Sequence, residues 1–253
     1  MAKMVYKLLN EEPNRYLSVH LIITTRCNNN CKRCLYKWQF DYELPLSQAR
    51  SLFSELRRKG TRFISLGGGE PTTHPELRRI VSLAKRQGFK VSMTTNGLNL
   101  VKADYDRVHI SFDTMHPISR QQLIKAANFY KQLGAKVGIN HVLTSEESLR
   151  NVYRICSANQ HLFDSLLVML LKPNHGLLKS QLEEIKALLH DPPKKLKDKL
   201  LIDPCSAYLL GFKARCIQGI YSCCLVPTPE GILEYVCSNQ PFVPKTFCPY
   251  GRF

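Results

Sequence analysis

Residues 18–34 read SVHLIITTRCNNNCKRC, and residues 62–71 read RFISLGGGEP. In each stretch a short run rich in β-branched residues passes straight into a loop of thiols, amides or glycines. Between them Ser47 is placed to cap a helix whose Ala49, Leu52, Phe53 and Leu56 recur at helical spacing, with Gly60 after its end. Strand, loop, helix and strand in that order is the repeating unit of a parallel sheet.

The same alternation continues along the chain. Pro75 suits the first turn of a helix carrying Leu77, Ile80, Val81 and Ala84 on one face, before Gly88. Further strands are predicted at 90–94 (KVSMT), 107–112 (RVHISF), 136–142 (KVGINHV) and 165–171 (SLLVMLL). Ser119 and Ser145 start the helices between the last three, and Cys156 falls on the apolar face with Leu149 and Val152, where packing is its expected role. Six strand–helix units with short connections require right-handed parallel crossovers, which a partly closed barrel or an open doubly wound sheet satisfies equally. In both, functional residues gather at the C-terminal ends of the strands. Those ends carry the cysteines at 27–34, the segment 67–70, Thr95 and Asn96, Ser111 with Asp113, and Asn140.

Length and composition agree with a folded protein. The 253 residues, 44% hydrophobic and 22% charged, suit one large domain with a small appendage. The longest strongly apolar run, 166–171, is far too short to cross a bilayer, and Glu11 and Glu12 interrupt any signal-like stretch. A cytoplasmic protein without a membrane partner is therefore expected. With 36 Lys and Arg against 20 Asp and Glu, the net charge of +16 favours anionic partners, RNA among them. The charge is spread along the chain, so a basic solubilising surface is the plainer reading.

The chain holds ten cysteines, which in a cytoplasmic protein argue for metal rather than disulfides. Cys27, Cys31 and Cys34 supply three thiolates from one loop. A structural zinc site closes with four ligands, whereas a cubane iron–sulfur cluster held by three keeps one iron open for a small molecule.

This loop, Cx3Cx2C after the first strand, resembles the signature of the radical S-adenosylmethionine (radical SAM) superfamily. Gly68-Gly69-Glu70-Pro71 after the second strand resembles the family's GGEP motif. The resemblance runs from residue 18 to about 175 and implies an α/β fold, a partial (β/α)6 parallel barrel. It also implies a [4Fe–4S] cluster with an open iron site on Cys27, Cys31 and Cys34, and S-adenosylmethionine bound to that iron. Gly68, Gly69 and Glu70 would then meet the methionine ammonium, and Thr95, Asn96, Ser111, Asp113 and Asn140 would surround ribose and methionine. Arg33 stands where the family carries an aromatic residue, and its guanidinium plane can stack on adenine; Tyr36 is a substitute for that contact.

After residue 171 the character changes. A basic helix-like stretch, 180–189, leads into the linker-like Asp191-Pro192-Pro193-Lys194-Lys195. The expected division is a barrel domain at 1–190 and a Cys-rich extension at 191–253. Within the extension, 221–226 and 232–236 read as a β-hairpin that returns Cys216 and Cys237 towards each other. This extension resembles the auxiliary-cluster (SPASM or twitch) appendage of radical SAM enzymes. The resemblance implies a second [4Fe–4S] cluster on Cys205, Cys216, Cys237 and Cys248, with Cys223 or Cys224 as a replacement for Cys205. The same thiolates also suit a structural zinc.

The implied activity is reductive cleavage of S-adenosylmethionine to a 5′-deoxyadenosyl radical, which abstracts hydrogen from a substrate. An electron donor such as flavodoxin or ferredoxin would be a partner. A peptide or protein is the expected substrate, or else a small metabolite, with RNA modification as the alternative raised by the charge. A non-catalytic iron–sulfur or zinc protein that binds nucleic acid is the rival from another class.

Overall fold

The computed structural model describes residues 18–31, 34, 41–58, 60–116, 118–170, 179–202, 220–221 and 237–238. Its main sheet is built from β1 (Ser18–Thr24), β2 (Phe63–Gly68), β3 (Lys90–Thr95), β4 (Arg107–Ser111), β5 (Lys136–Leu143), β6 (Ser165–Leu170) and β7 (Leu200–Ile202). The helices are α1 (Leu46–Arg58), α2 (Leu77–Arg86), α3 (Arg120–Gln132), α4 (Glu146–Ala158) and α5 (Lys179–His190).

The strands lie in chain order from β1 to β7, every neighbouring pair parallel. That order decides between the two architectures the alternation allowed. A doubly wound sheet reverses its strand order at a switch point, whereas an unbroken order with crossovers of one hand puts the helices on one face, as in a barrel wall. The fold is an α/β partial barrel. Six of its strands are those predicted, and β7 is a seventh, beyond residue 190 where the barrel domain was expected to end.

One predicted unit lacks its helix. Residues 96–106, between β3 and β4, carry none. Gly97 breaks the run at its start, and Leu100, Val101, Ala103 and Tyr105 pack on the core from irregular chain. Ser47 also differs from expectation, since it lies inside α1 rather than ahead of it. Ser119 and Ser145 cap as expected: Ser119 Oγ accepts from Gln122 N, and Ser145 forms a capping box with Ser148.

The core fills the space between sheet and helices. Val19, Leu21 and Ile23 of β1 alternate with His20 and Ile22, and Val108 and Ile110 of β4 alternate with His109 and Ser111. The first member of each set joins Phe53, Ile80, Leu123, Tyr130 and Leu149 from the helices in one buried cluster, together with Cys156. Full burial pushes the Cys156 thiol up to about 12, as befits packing rather than ligation. The opposite face of the sheet carries most of its polar residues, His20, Ser92, His109, Ser111 and Asn140 among them, beside Ile22, Leu167 and Met169, and the candidate site lies at its C-terminal end. Separately, β8 (Ile220–Tyr221) pairs antiparallel with β9 (Cys237–Ser238), placing Cys237 opposite Tyr221. Among the described residues no helix is long and apolar enough to cross a membrane.

Candidate active site

The cysteine loop is stapled at its base. Thr25 N donates to Tyr42 O at 2.9 Å, Tyr42 N to Thr25 Oγ1 at 2.7 Å, and Leu44 N to Ile23 O at 2.8 Å. A bond of 3.1 Å between His74 Nε2 and Leu44 O ties the returning strand to the loop after β2. The loop therefore leaves and rejoins the sheet at one point, with Cys27 exposed, Cys31 buried and Cys34 between, all three as free thiols. Burial is the main cause that raises the Cys27 and Cys31 thiols. Among the described residues no three His, Cys, Asp or Glu groups gather as ligands of a single ion would. A cubane instead takes its thiolates at separate iron corners.

The glycines beside the loop are required by close approach. A Cβ on Gly68 would stand 2.2 Å from Thr24 O, and one on Gly69 2.2 Å from Arg26 O. Gly68 also has φ +130°, which side-chain-bearing residues avoid. Gly69 N donates to Thr24 O at 2.9 Å and Glu70 N to Arg26 O at 2.8 Å, so the glycine segment is laced to the backbone leading into Cys27.

Glu70 is the hub of the site. Its side chain is 1% exposed. Oε1 accepts from Thr72 N at 3.1 Å, Thr72 Oγ1 at 2.7 Å and Thr95 Oγ1 at 2.7 Å, while Oε2 accepts from Asn96 N at 2.7 Å. Among the described residues no Lys, Arg or His pairs with it. Burial pushes its carboxyl up, and the hydrogen bonds from Asn96, Thr72 and Thr95 recover only part of that shift. Asn96 also donates from Nδ2 to Asn28 Oδ1 at 2.8 Å and favours the Cys27 thiolate by hydrogen bonding. One residue thus joins the end of β3, the cysteine loop and Glu70.

Ser111 and Asn140 are register partners on β4 and β5, and Phe112 N donates to Asn140 O at 2.9 Å. Asp113, close by, is turned inward, its side chain fully enclosed. Its carboxylate accepts from Met115 N at 2.8 Å, His116 N at 3.0 Å, Val142 N at 3.1 Å and His116 Nδ1 at 2.9 Å. Burial opposes the charge, but the His116 and backbone bonds outweigh it and hold the carboxyl below its ordinary value. Asp113 thus orders its own turn and joins it to β5.

The structure brings together Cys27, Cys31, Cys34, Gly68, Gly69, Glu70, Thr95 and Asn96 on one rim. Thr72, Asn28 and His116 were not anticipated. Thr72 lies two residues after Glu70 in a glycine-turn context, a spacing at which a hydroxyl can cap a carboxylate. Asn28 left no signal, because only the fold sets it beside Asn96, whereas His116 stands three residues after Asp113, a spacing at which a turn brings the two together. Arg33, Tyr36, Cys205, Cys216, Cys223, Cys224 and Cys248 lie outside the described residues, as does the Cys237 side chain.

Comparison with known proteins bears on this rim directly. The protein named S-adenosylmethionine-dependent nucleotide dehydratase of Selenomonas ruminantium is 31% identical over 147 residues, 54% of this chain and 53% of its own. GTP 3′,8-cyclase of Limosilactobacillus fermentum is 30% identical over 141 residues, 50% of this chain and 42% of its own. The chain therefore spans about half the length of the curated relatives it matches. Streptococcus suis SuiB, solved with its precursor peptide SuiA, shares the fold with a TM-score of 0.66 at 17% identity, over 78% of this chain and 51% of that one. The family profile described as the radical SAM superfamily matches residues 21–175, from within β1 to just beyond β6, and the chain belongs to that superfamily.

Proposed function

We propose that this protein cleaves S-adenosylmethionine reductively to a 5′-deoxyadenosyl radical that takes hydrogen from an anionic small molecule of the nucleotide class. The observation that carries the reading is the buried Glu70 carboxylate, which lacks a cationic partner among the described residues yet lies near the Cys27 thiol of the three-cysteine loop. A buried carboxylate is normally paired with a cation, and the ammonium of S-adenosylmethionine is one.

Family membership implies a [4Fe–4S] cluster and S-adenosylmethionine, and the residues present fit both. Cys27, Cys31 and Cys34 would hold the cluster. Gly68 and Gly69 let the chain after β2 pack directly against the backbone leading into Cys27, where any Cβ would collide with Thr24 O or Arg26 O, and Glu70 offers the charge. When bound, the cluster supplies the electron that opens the carbon–sulfur bond. The protein's own residues orient and enclose. Asn96 holds the cysteine loop to β3, Thr72 and Thr95 keep Glu70 aimed, and Ser111 and Asn140 face the ribose or methionine from the neighbouring strands. Asp113 acts through its turn, as a positioning residue, and Arg33 is proposed to stack on adenine.

Support for a nucleotide comes from the two curated relatives, whose names state nucleotide and GTP chemistry, and from the basic balance of +16. A peptide substrate is the second reading, favoured by the likeness in fold to peptide-bound SuiB. We further propose that residues 191–253 hold an auxiliary [4Fe–4S] cluster on Cys205, Cys216, Cys237 and Cys248. A flavodoxin or ferredoxin would deliver the electron.

Iron per chain after anaerobic reconstitution, in wild type and in a Cys27/Cys31/Cys34→Ala variant, tests the cofactor assignment. About eight irons falling to about four, with S-adenosylmethionine cleavage lost, is the expected result. About four falling to none would remove the auxiliary cluster. Unchanged iron would overturn the assignment of the N-terminal loop.

A further inference from the structure

His109 of β4 reaches across to β5, where its ring fills the space above Gly138. A Cβ on Gly138 would stand 2.6 Å from His109 Cδ2, 2.8 Å from Nε2 and 2.4 Å from Ser165 Oγ. Any side chain at 138 would evict the imidazole. The arrangement recurs at β1 and β2, where a Cβ on Gly67 would meet His20 Nε2 at 2.2 Å. Gly67 is the glycine of the 67–69 run that the cofactor motif leaves over.

Two imidazoles thus lie seated on glycines of the face opposite the core. Burial pushes both down to about 4, with Arg107 adding to the effect at His109. Each is neutral near pH 7, with one N–H to donate and one nitrogen to accept. His109 has the better-furnished surroundings. Ser165 Oγ stands 3.5 Å from its Nε2. Asn140 lies beside it, near enough to favour the protonated imidazole, with a buried Oδ1 that no donor meets at full hydrogen-bond geometry. On the same face, at the start of the strands, Arg107 pairs in register with Lys136. Among the described residues neither cation has a carboxylate at ion-pair distance, so an anion would find positive charge close by.

We infer that His109 contacts the substrate, hydrogen-bonding through its imidazole to an uncharged hydroxyl or amide edge of a nucleotide, one side-chain layer below Ser111 and Asn140. The inference rests on the nucleotide reading above and adds the residue that reads the substrate. Asn140 Oδ1 and Ser165 Oγ would complete that edge, and Gly138 exists to make the seat.

Binding of GTP and of CTP to the reconstituted holoenzyme is to be measured by equilibrium dialysis in wild type, His109→Ala, His109→Gln and Gly138→Ala. S-adenosylmethionine affinity and Tm are followed in parallel. Expected is a loss of at least tenfold in nucleotide affinity for His109→Ala and Gly138→Ala, and a smaller loss for His109→Gln, whose amide keeps a donor and an acceptor. S-adenosylmethionine affinity should stay within about twofold, that is about 0.4 kcal/mol where tenfold is about 1.4 kcal/mol. If Gly138→Ala fails to fold, the two His109 variants carry the comparison. Equal nucleotide binding in wild type and His109→Ala overturns the inference alone. No binding of either nucleotide to the wild type overturns the nucleotide reading and the inference with it. Parallel loss of nucleotide and S-adenosylmethionine binding would reduce His109 to a packing residue.

Discussion

The two rims of the sheet both use carboxylates, and they use them in opposite ways. At the N-terminal rim Asp106, just before β4, accepts from Val91 N at 2.8 Å and from Lys85 Nζ at 2.7 Å. Asp164, just before β6, accepts from Val137 N at 2.7 Å and from Lys131 Nζ at 2.8 Å. Each takes one backbone N–H from the adjacent strand and at least one lysine, Asp106 a second one, Lys90, at 3.0 Å. At the C-terminal rim Glu70 and Asp113 have neutral donors and a histidine, and no lysine or arginine pairs with either among the described residues. The consequence appears in their proton affinities. Burial opposes the charge at Asp106 and Asp164, but the lysine and backbone bonds outweigh it and lower both carboxyls. At Glu70 burial wins. The carboxylates of one rim are electrostatically closed and serve stability, while at the other Glu70 is a buried charge with no cationic partner among the described residues, as suits binding.

The largest test of that contrast is Glu70→Gln. If the carboxylate awaits a cation, S-adenosylmethionine cleavage should fall at least a hundredfold, on the scale of losing one partner of a buried charge pair, about 2–5 kcal/mol. Wild-type affinity for S-adenosylmethionine in that variant would make Glu70 a packing residue. Gly68→Ala comes next. Its Cβ would collide with Thr24 O at a φ of +130°, so a loss of about 1–3 kcal/mol in unfolding free energy is expected, together with loss of cleavage. Urea denaturation checks the first part, and an unchanged midpoint would contradict the cradle.

The N-terminal rim should respond in stability alone. Asp106→Asn is expected to lose about 1 kcal/mol at pH 7, the value of a charge-assisted bond discounted for partial exposure. The sign follows from the depressed carboxyl. Its contribution is present above the ordinary value of 3.8 and is lost as pH falls through the lower folded value. Wild type and variant should therefore converge in Tm at a pH below that lowered folded value, and a gap that persists there would point to packing instead. The smallest effect belongs to Asp104→Asn. Asp104 is 75% exposed and 3.5 Å from Lys85, so a change within about 0.5 kcal/mol is expected. A larger loss would mean that Lys85 depends on both carboxylates.

Much of this fold was legible from local pattern. Alternation at 107–112 separates Val108 and Ile110 from His109 and Ser111, and the structure sends the first pair into the core. The helices at 77–86 and 146–158 follow from apolar spacing, with a capping serine for the second. No helix is predicted at 96–106, and the count of six strand–helix units overreaches there, because Leu100, Val101, Ala103 and Tyr105 pack on the core from irregular chain whose contacts only the fold supplies. The site was legible as residue types and only partly as roles. Asp113 is enclosed by its own turn through Met115 N and His116 N, and by Val142 N, a donor that reaches it only once β5 has docked.

The sequence by itself determined the strand and helix alternation, the thiol spacing at 27–34 and the glycine-rich turn at 67–70, because each depends on neighbours within a few residues. Strand order, the helix-free connection, the seats of His20 and His109 and the cation-free burial of Glu70 belong to the tertiary structure. Each of those joins residues from different strands, and the parallel register is what sets such residues side by side.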